Sequence, residues 1–265
     1  MNRVRLIGPG RAGCSLAAAL EAVGGYTVVD VVRHGEPVAR SAEGADIVVL
    51  SVPDHAVAAV AASIIPSPRA AVVHLSGSLG LDVLGPHERR ASLHPLVPLP
   101  NPTVGSVRLR TGVTFAVAGD PVARAMAGAL GGRAVTVEDD RRASYHAAAT
   151  IAANHLVALL GQVERVAGAA GLPLDAFTGL VLAAVEDSLA MGPQGALTGP
   201  AARGDWATID RHRRMLAGLP DARSELAAYD AMVDLARRLA AERTDGPPPG
   251  PPFDGVALEP VGSVA

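Results

Sequence analysis

A glycine-rich turn stands at the very start of this chain, in the run Arg3-Val4-Arg5-Leu6-Ile7-Gly8-Pro9-Gly10-Arg11-Ala12-Gly13. Arg3–Ile7 has the apolar character of a strand, and Ser15–Val23 is an Ala/Leu-rich helical run. The pattern G-x-G-x-x-G therefore sits between a predicted strand and a predicted helix, which is the context that makes it restrictive. Gly8 allows a tight turn, Gly10 lets the backbone approach a pyrophosphate, and Gly13 removes a side chain where the helix packs closely. The unpaired N–H groups at the helix start then present partial positive charge to phosphate oxygens. The spacing predicts a βαβ unit that binds a dinucleotide, with Gly8, Gly10, Arg11, Ala12 and Gly13 around its phosphates.

At 265 residues the chain has room for one large domain or two modest ones, each with its own core. Nearly half the residues are apolar but only 3% are aromatic, so those cores must be built from Ala, Val and Leu. A net charge of -3 and the lack of a basic run interleaved with aromatics exclude an electrostatic nucleic-acid surface. The single Cys14 excludes a disulfide framework and fits a reducing cytoplasm. No apolar stretch is long enough to predict a membrane span, and nothing suggests a signal peptide. All 23 basic residues are Arg, which rules out a lysine acid or Schiff base within the chain. Proton transfer would fall to His, a carboxylate or Tyr.

Up to about residue 137, β-type runs alternate with Ala-rich helical runs, the pattern of a Rossmann-like, doubly wound parallel α/β sheet. Strands are predicted at Arg3–Ile7, Tyr26–Val32, Ile47–Ser51, Ala71–Leu75, Arg90–Leu93, Val113–Val117 and Arg133–Val137. Helices are predicted near Ser15–Val23, His55–Ile65 and Pro121–Leu130. The strands lack polar alternation, as expected when both sheet faces are covered. Beyond residue 137, long helical runs follow at Arg142–Ala170, Leu174–Met191, Trp206–Gly218 and Arg223–Arg243, with a loop from Pro193 to Asp205. The expected organisation is a dinucleotide-binding domain at 1–137, an all-α domain for substrate binding or dimerisation at 138–243, and a Gly/Pro-rich mobile tail at 244–265.

At the end of the second predicted strand, an acid would accept from ribose hydroxyls, whereas an Arg would pair with the extra phosphate of NADP. Arg33 stands at the predicted exit of Val28-Val29-Asp30-Val31-Val32-Arg33 and Asp30 lies within the strand, so the reading favours NADP over NAD. Val52, Pro53 and Ser76 follow later strands on the carboxyl edge, where ligands of such sheets bind. Asp54 reads as a cap for the helix from His55. His94, held before Pro95 on the same edge, is a candidate catalytic residue.

His146, Thr150 and Asn154 recur at four-residue spacing. In an α-helix they drift by only ~80° over ~12 Å and make one polar stripe on an Ala/Leu background. Mediocre helix formers repeated at that spacing suggest a hydrogen-bonding task. In Thr198-Gly199-Pro200-Ala201-Ala202-Arg203-Gly204-Asp205, Asp205 can cap the helix from Trp206, while Arg203 and Thr198 are candidates for holding a substrate carboxylate.

Taken together, Gly8–Gly13, Val52-Pro53-Asp54, Ser92-Leu93-His94-Pro95, Tyr145-His146-Ala147-Ala148, Ala153-Asn154-His155-Leu156, and Thr198-Gly199-Pro200 with Arg203-Gly204-Asp205 resemble a bacterial family. That family joins a Rossmann-like domain to a C-terminal helical domain of uncharacterised function, and the resemblance covers about residues 3–243. The wider likeness is to the 6-phosphogluconate dehydrogenase-like superfamily. Ketopantoate reductases carry a Lys and two Asn where His146, Thr150 and Asn154 stand here. Prephenate dehydrogenases have a His-Pro after a strand, as in His94-Pro95, and pyrroline-carboxylate reductases share the architecture. The resemblance implies a hydride transfer between NADP and a small polar carbonyl, hydroxyl or imine compound. It implies His146 as the proton carrier, with Thr150 and Asn154 as orienting groups. The amphipathic helical segments offer more apolar surface than a small four-helix domain can bury, which predicts a homodimer through the helical domain. Two other readings stay open: a non-catalytic nucleotide-binding sensor or assembly protein, and a reductase that uses a deazaflavin.

Overall fold

In the computed structural model, residues 1–242 are described; the predicted tail at 244–265 and the end of the predicted helical domain at Arg243 lie outside the described residues. The elements of the first part are β1 (Asn2–Ile7), α1 (Arg11–Val23), β2 (Tyr26–Val32), β3 (Ile47–Leu50), α2 (Asp54–Ser63) and β4 (Ala71–His74). They continue with β5 (Arg90–Pro95), α3 (Pro102–Arg108), β6 (Thr114–Gly119), α4 (Val122–Ala129) and β7 (Arg133–Thr136). The strands form one sheet in the order β2-β1-β3-β4-β5-β6-β7. The chain reverses direction across the sheet between β2 and β3, which flank β1, and this is the switch point at which doubly wound sheets bind ligands.

Both sheet faces are buried, and β3 shows how. Ile47 and Val49 face one apolar layer, with Leu16 and Leu20 of α1 and Met126 of α4. Val48 and Leu50 face the other, with Val57 and Ala61 of α2. The two-residue period of a strand thus distributes four consecutive apolar side chains over two cores, which is why the sequence shows no polar alternation here.

One pairing departs from the all-parallel expectation: β5 and β6 are antiparallel, with Leu93 opposite Val117 and His94 opposite Ala116. The segment between them never crosses to the other edge, since the Leu96 N–H donates to the Thr114 carbonyl at 2.9 Å. It contains α3, which the sequence reading did not predict. Asn101 caps that helix by accepting from the Val104 N–H at 2.9 Å. Gly105 is required at the contact of α3 with α1, because a Cβ there would lie 2.7 Å from the Ser15 Cβ.

The helical part comprises α5 (Arg142–Thr150), a π-helical segment at Ile151–His155, α6 (Leu156–Ala169), α7 (Thr178–Ala196), α8 (Pro200–Arg203), α9 (Trp206–Leu216) and α10 (Ala222–Ala241). The predicted loop from Pro193 to Asp205 is a correction. Helix continues to Ala196 past a break at Gly192 (φ 78°), and Pro200, whose fixed φ suits a first helical position, starts α8. Asp205 caps α9 as predicted, accepting from the Thr208 N–H at 3.1 Å.

The chain divides into two compact units, the first spanning Met1–His155 and the second beginning at Leu156. Residues 138–155, which the sequence reading put at the start of the helical domain, therefore fold with the sheet. In the second unit the Glu225 carboxylate, only 2% exposed as a residue, accepts from Arg165 Nε at 2.5 Å and ties α10 to α6. No single helix among the described residues is long and apolar enough to cross a membrane.

Candidate functional site

α1 begins directly at the glycine turn. Gly10 is its N-cap residue and offers no side chain to the first-turn N–H groups, leaving them for an anion. Gly8 sits at φ 90°, and a Cβ there would meet the Ser51 carbonyl oxygen at 2.5 Å. A Cβ on Gly13 would meet the Ser51 Cβ at 2.7 Å. The predicted contact of Gly13 with a strand is thus a contact with the residue just past β3. Two clefts of about 620 and 730 Å³ flank this turn and share Gly10, Ser51, Val52 and Pro53.

The larger cleft opens at the end of β2, where Arg33, His34 and Glu36 line it. A Glu36 carboxylate oxygen accepts from the Arg33 backbone N–H at 2.6 Å, so an acid and a base share this end of the cleft. Asp30 is not among the lining residues. Its carboxylate pairs with Arg5 Nε at 3.3 Å and accepts from the Val31 N–H, which leaves the end of β2 to Arg33 and its neighbours.

The smaller cleft is lined by Arg11, Ala12, Asp54 and Ser76, and by Asn154 from the π-helical segment. Asp54 does not cap α2 as predicted: α2 includes it, and no side chain caps that helix. Instead its Oδ2 accepts from Ser76 Oγ at 2.8 Å and Ser78 Oγ at 2.6 Å. That tether folds the loop after β4 against the start of α2.

Between the two serines, buried Gly77 marks the convergence of two imidazoles. A Cβ on Gly77 would lie 2.7 Å from His146 Cδ2 and 2.9 Å from His94 Cε1. The two rings stand edge to face, with centroids 6.0 Å apart. His94 Nδ1 lies 2.5 Å from the Tyr145 hydroxyl. Burial raises Tyr145 to about 12, so the phenol keeps its proton and donates it to Nδ1. Burial, then His146, then Arg142 push His94 down to about 4, against the opposing pull of Asp54. His94 is accordingly a neutral imidazole at neutral pH. With Nδ1 accepting, its hydrogen resides on Nε2, the atom beside Gly77, and makes that nitrogen a donor.

Thr150 and Asn154 do not continue an α-helical stripe from His146. α5 ends at Thr150 and the backbone widens into the π segment, which breaks the 3.6-residue period on which the stripe depended. The consequence is a division of labour: His146 meets His94 at Gly77, while Asn154 lines the cleft beside Gly10. Thr150 is half-buried and lines neither cleft. Thr198 and Arg203 belong to the second unit. There Thr198 lines a pocket of about 300 Å³ with His212 and Tyr229, and Arg203 is exposed.

The sequence reading gives no separate role to Tyr145 or Gly77, and gives Asp54 only that of a helix cap. Tyr145 and Asp54 were visible inside motifs. The signal for Gly77 was Ser-Gly-Ser immediately after a strand, but its role depends on two imidazoles brought in from β5 and α5. Among the described residues, no group of three or more His, Cys, Asp or Glu is placed to hold a metal ion.

Residues 111–235 match the family model described as a domain of unknown function, DUF2520. No curated protein sequence is significantly similar to the chain. Among solved structures, protein TM1727 of Thermotoga maritima is 24% identical, with a TM-score of 0.68 over 90% of this chain and 98% of that one. BF3122 of Bacteroides fragilis, described as a candidate NADP oxidoreductase, is 22% identical, with a TM-score of 0.69 over 91% and 96%. Plasmodium falciparum pyrroline carboxylate reductase, solved with NADP bound, is 12% identical, with a TM-score of 0.57 over 90% and 98%. These similarities show a shared Rossmann-like fold. The DUF2520 match and these structural likenesses support the resemblance read from the motifs, to a family in which a Rossmann-like sheet domain is joined to a helical domain of unknown function.

Proposed function

We propose that this protein is an NADP-dependent oxidoreductase acting on a small polar carbonyl, hydroxyl or imine compound. One observation carries the reading. The cleft at the uncapped start of α1 extends along the sheet edge to Ser76, and the next residue, Gly77, packs against His94 and His146. A dinucleotide held by Gly8, Gly10, Arg11, Ala12 and Gly13, with Val52, Pro53 and Ser76 along its path, would thus run toward two titratable groups. The residues fit such a cofactor because Gly8 and Gly13 stand where a Cβ would collide with Ser51, and no side chain caps α1 at Gly10.

When bound, nicotinamide supplies or accepts the hydride. His94, neutral and held by Tyr145, presents Nε2–H to the oxygen or nitrogen of the reacting group and polarises it. His146 carries the proton that the group gains or loses. Asn154 orients what lies beside Gly10, and Thr150 supports that end of α5. The end of β2 favours NADP, with Arg33 pairing its extra phosphate. All of α7 lacks buried residues, and Leu180 and Leu189 on it are 69% and 84% exposed. An apolar helix left so open supports a homodimer through the helical unit. The lone Cys14 is consistent with a reducing, cytoplasmic setting.

Calorimetric titration with NADPH and NADH at equal salt tests the core of the reading. Binding of NADPH at least ~10-fold tighter than NADH is expected, followed by oxidation of NADPH in a screen of keto acids and cyclic imines. Binding of neither nucleotide would remove the reductase reading and favour a deazaflavin or a non-catalytic role.

A further inference from the structure

Below the His94–Tyr145–His146 group lies a buried cation. Arg142, the first residue of α5, is only 1% exposed. Its Nη2 donates to Ser92 Oγ of β5, and its Nε donates to Asp139 Oδ1 at 3.0 Å. The other Asp139 oxygen accepts from the Leu81 N–H at 3.0 Å. The third guanidinium nitrogen, Nη1, is buried with no hydrogen-bond partner among the described residues. The two residues that α5 brings to His94, Tyr145 and His146, lie one turn further along the same helix. Ser92 is two residues before His94 on the same strand. One side chain therefore fixes the helix that carries two members of the group to the strand that carries the third.

We propose that Arg142 is a positioning residue that sets the register of α5 on β5 and thereby holds His94 with Nδ1 on Tyr145 and Nε2 toward the reacting group. The inference rests on the role given to His94 above, but its test does not require turnover. Two physical effects act together. The guanidinium–Ser92 bond holds the first turn of α5, so that Tyr145 reaches Nδ1. The incompletely paired charge also opposes protonation of nearby imidazoles, depressing both His94 and the fully buried His74 of β4. The other groups facing His94 are His146 and Tyr145 from α5 and Asp54 from α2, and Asp54 pulls the opposite way. Asp139 is itself held below the ordinary carboxylate range: burial raises it, but the Leu81 N–H and Arg142 outweigh that. Removing the guanidinium would leave Asp139 without its cation, adding to the upward pull that Asp139 already exerts on His74.

The test is the nitrogen NMR signature of His94, followed through pH in the wild-type chain, Arg142→Met, Arg142→Lys and Ser92→Ala. In the wild type His94 should show the Nε2–H tautomer and titrate near 4. In Arg142→Met the midpoint should rise toward the ordinary 6.5 and the tautomers should mix, while NADPH affinity stays within ~2-fold. Arg142→Lys should return the low midpoint by restoring the charge. If Arg142→Met fails to fold, Ser92→Ala supplies the readout, since it keeps the cation and loosens only its hold on β5; tautomer mixing there is the expected result. An unchanged tautomer and midpoint in folded Arg142→Met, or an unchanged tautomer in Ser92→Ala, would overturn the proposal, and so would a lowered melting temperature in either with no change at His94. Failure of the reductase reading would look different: no nucleotide binding, with the NMR behaviour of His94 intact.

Discussion

The Tyr145 hydroxyl and His94 Nδ1 are 2.5 Å apart, and the two rings meet edge to face with centroids at 5.6 Å. Because burial keeps the phenol protonated, this contact has a direction: Tyr145 donates and His94 accepts. Tyr145→Phe keeps the ring and deletes the donor. We expect kcat to fall by about tenfold, equivalent to ~1.4 kcal/mol, the scale of one hydrogen bond. NADPH affinity should stay unchanged, because Tyr145 does not line either cleft at the glycine turn. Steady-state kinetics together with calorimetry check this; equal losses in kcat and in cofactor binding would refute it.

Gly77 offers a steric test of the same site. A methyl group there would sit 2.7 Å from His146 Cδ2, closer than real contacts allow, so one imidazole must move. Gly77→Ala should therefore cut turnover by roughly 10²-fold, as when a reacting group is displaced by about an ångström. His146→Ala should lose ~10²–10⁴-fold, the range of a general acid or base. Both variants should still bind NADPH. Retained turnover in either would move the chemistry away from this pair.

Two buried histidines give folding stability a pH dependence of definite sign. His74 and His94 titrate near 4 in the folded chain, mainly because burial disfavours their charged forms, against about 6.5 when unfolded. Between those values the unfolded chain binds more protons, so stability is complete above about pH 6.5 and is lost as pH falls toward 4. The loss amounts to ~3 kcal/mol for each ring taken alone. Both rings feel Arg142, so the combined loss is not a simple sum. Urea denaturation at pH 7.5 and 4.5 should show the drop, with a shallower one for His74→Leu. A flat profile would mean that these rings are protonated in the native state.

The contrast between what was readable and what was not follows from the range of the interactions. Tyr26–Val32 is bounded correctly because six strand-forming residues, interrupted only by Asp30, lie between Gly25 and the turn that follows. The glycine turn was readable because its geometry is set by local φ values and by the absence of Cβ atoms. α3 was missed because it is short and leans on Gly105 against Ser15, a contact far away in sequence. The stripe His146–Thr150–Asn154 was drawn on an ideal α-helix, and nothing local announced the π segment that redirects Asn154. Tyr145 and Arg142 acquire meaning only from Ser92 and His94, which are supplied by another strand.

Cofactor choice at the end of β2 turns on Arg33 and Glu36, which line one cleft and are joined through the Arg33 N–H. A guanidinium here favours the extra phosphate of NADPH by a charge-assisted contact, which a hydroxyl cannot match. The Glu36 carboxylate opposes it by like charge while remaining able to accept from a ribose hydroxyl. Arg33→Ala should weaken NADPH by ~10–100-fold, in keeping with the ~1.5–3 kcal/mol of a hydrogen bond to a charged group, and leave NADH within ~2-fold. Glu36→Gln keeps an oxygen for the Arg33 N–H but removes the charge. It should therefore tighten NADPH and slightly weaken NADH. The two substitutions move the NADPH/NADH ratio in opposite directions, and calorimetry on both variants at one salt concentration reads that ratio directly. Movement in the same direction would show that this end of the cleft is not where the two cofactors are told apart.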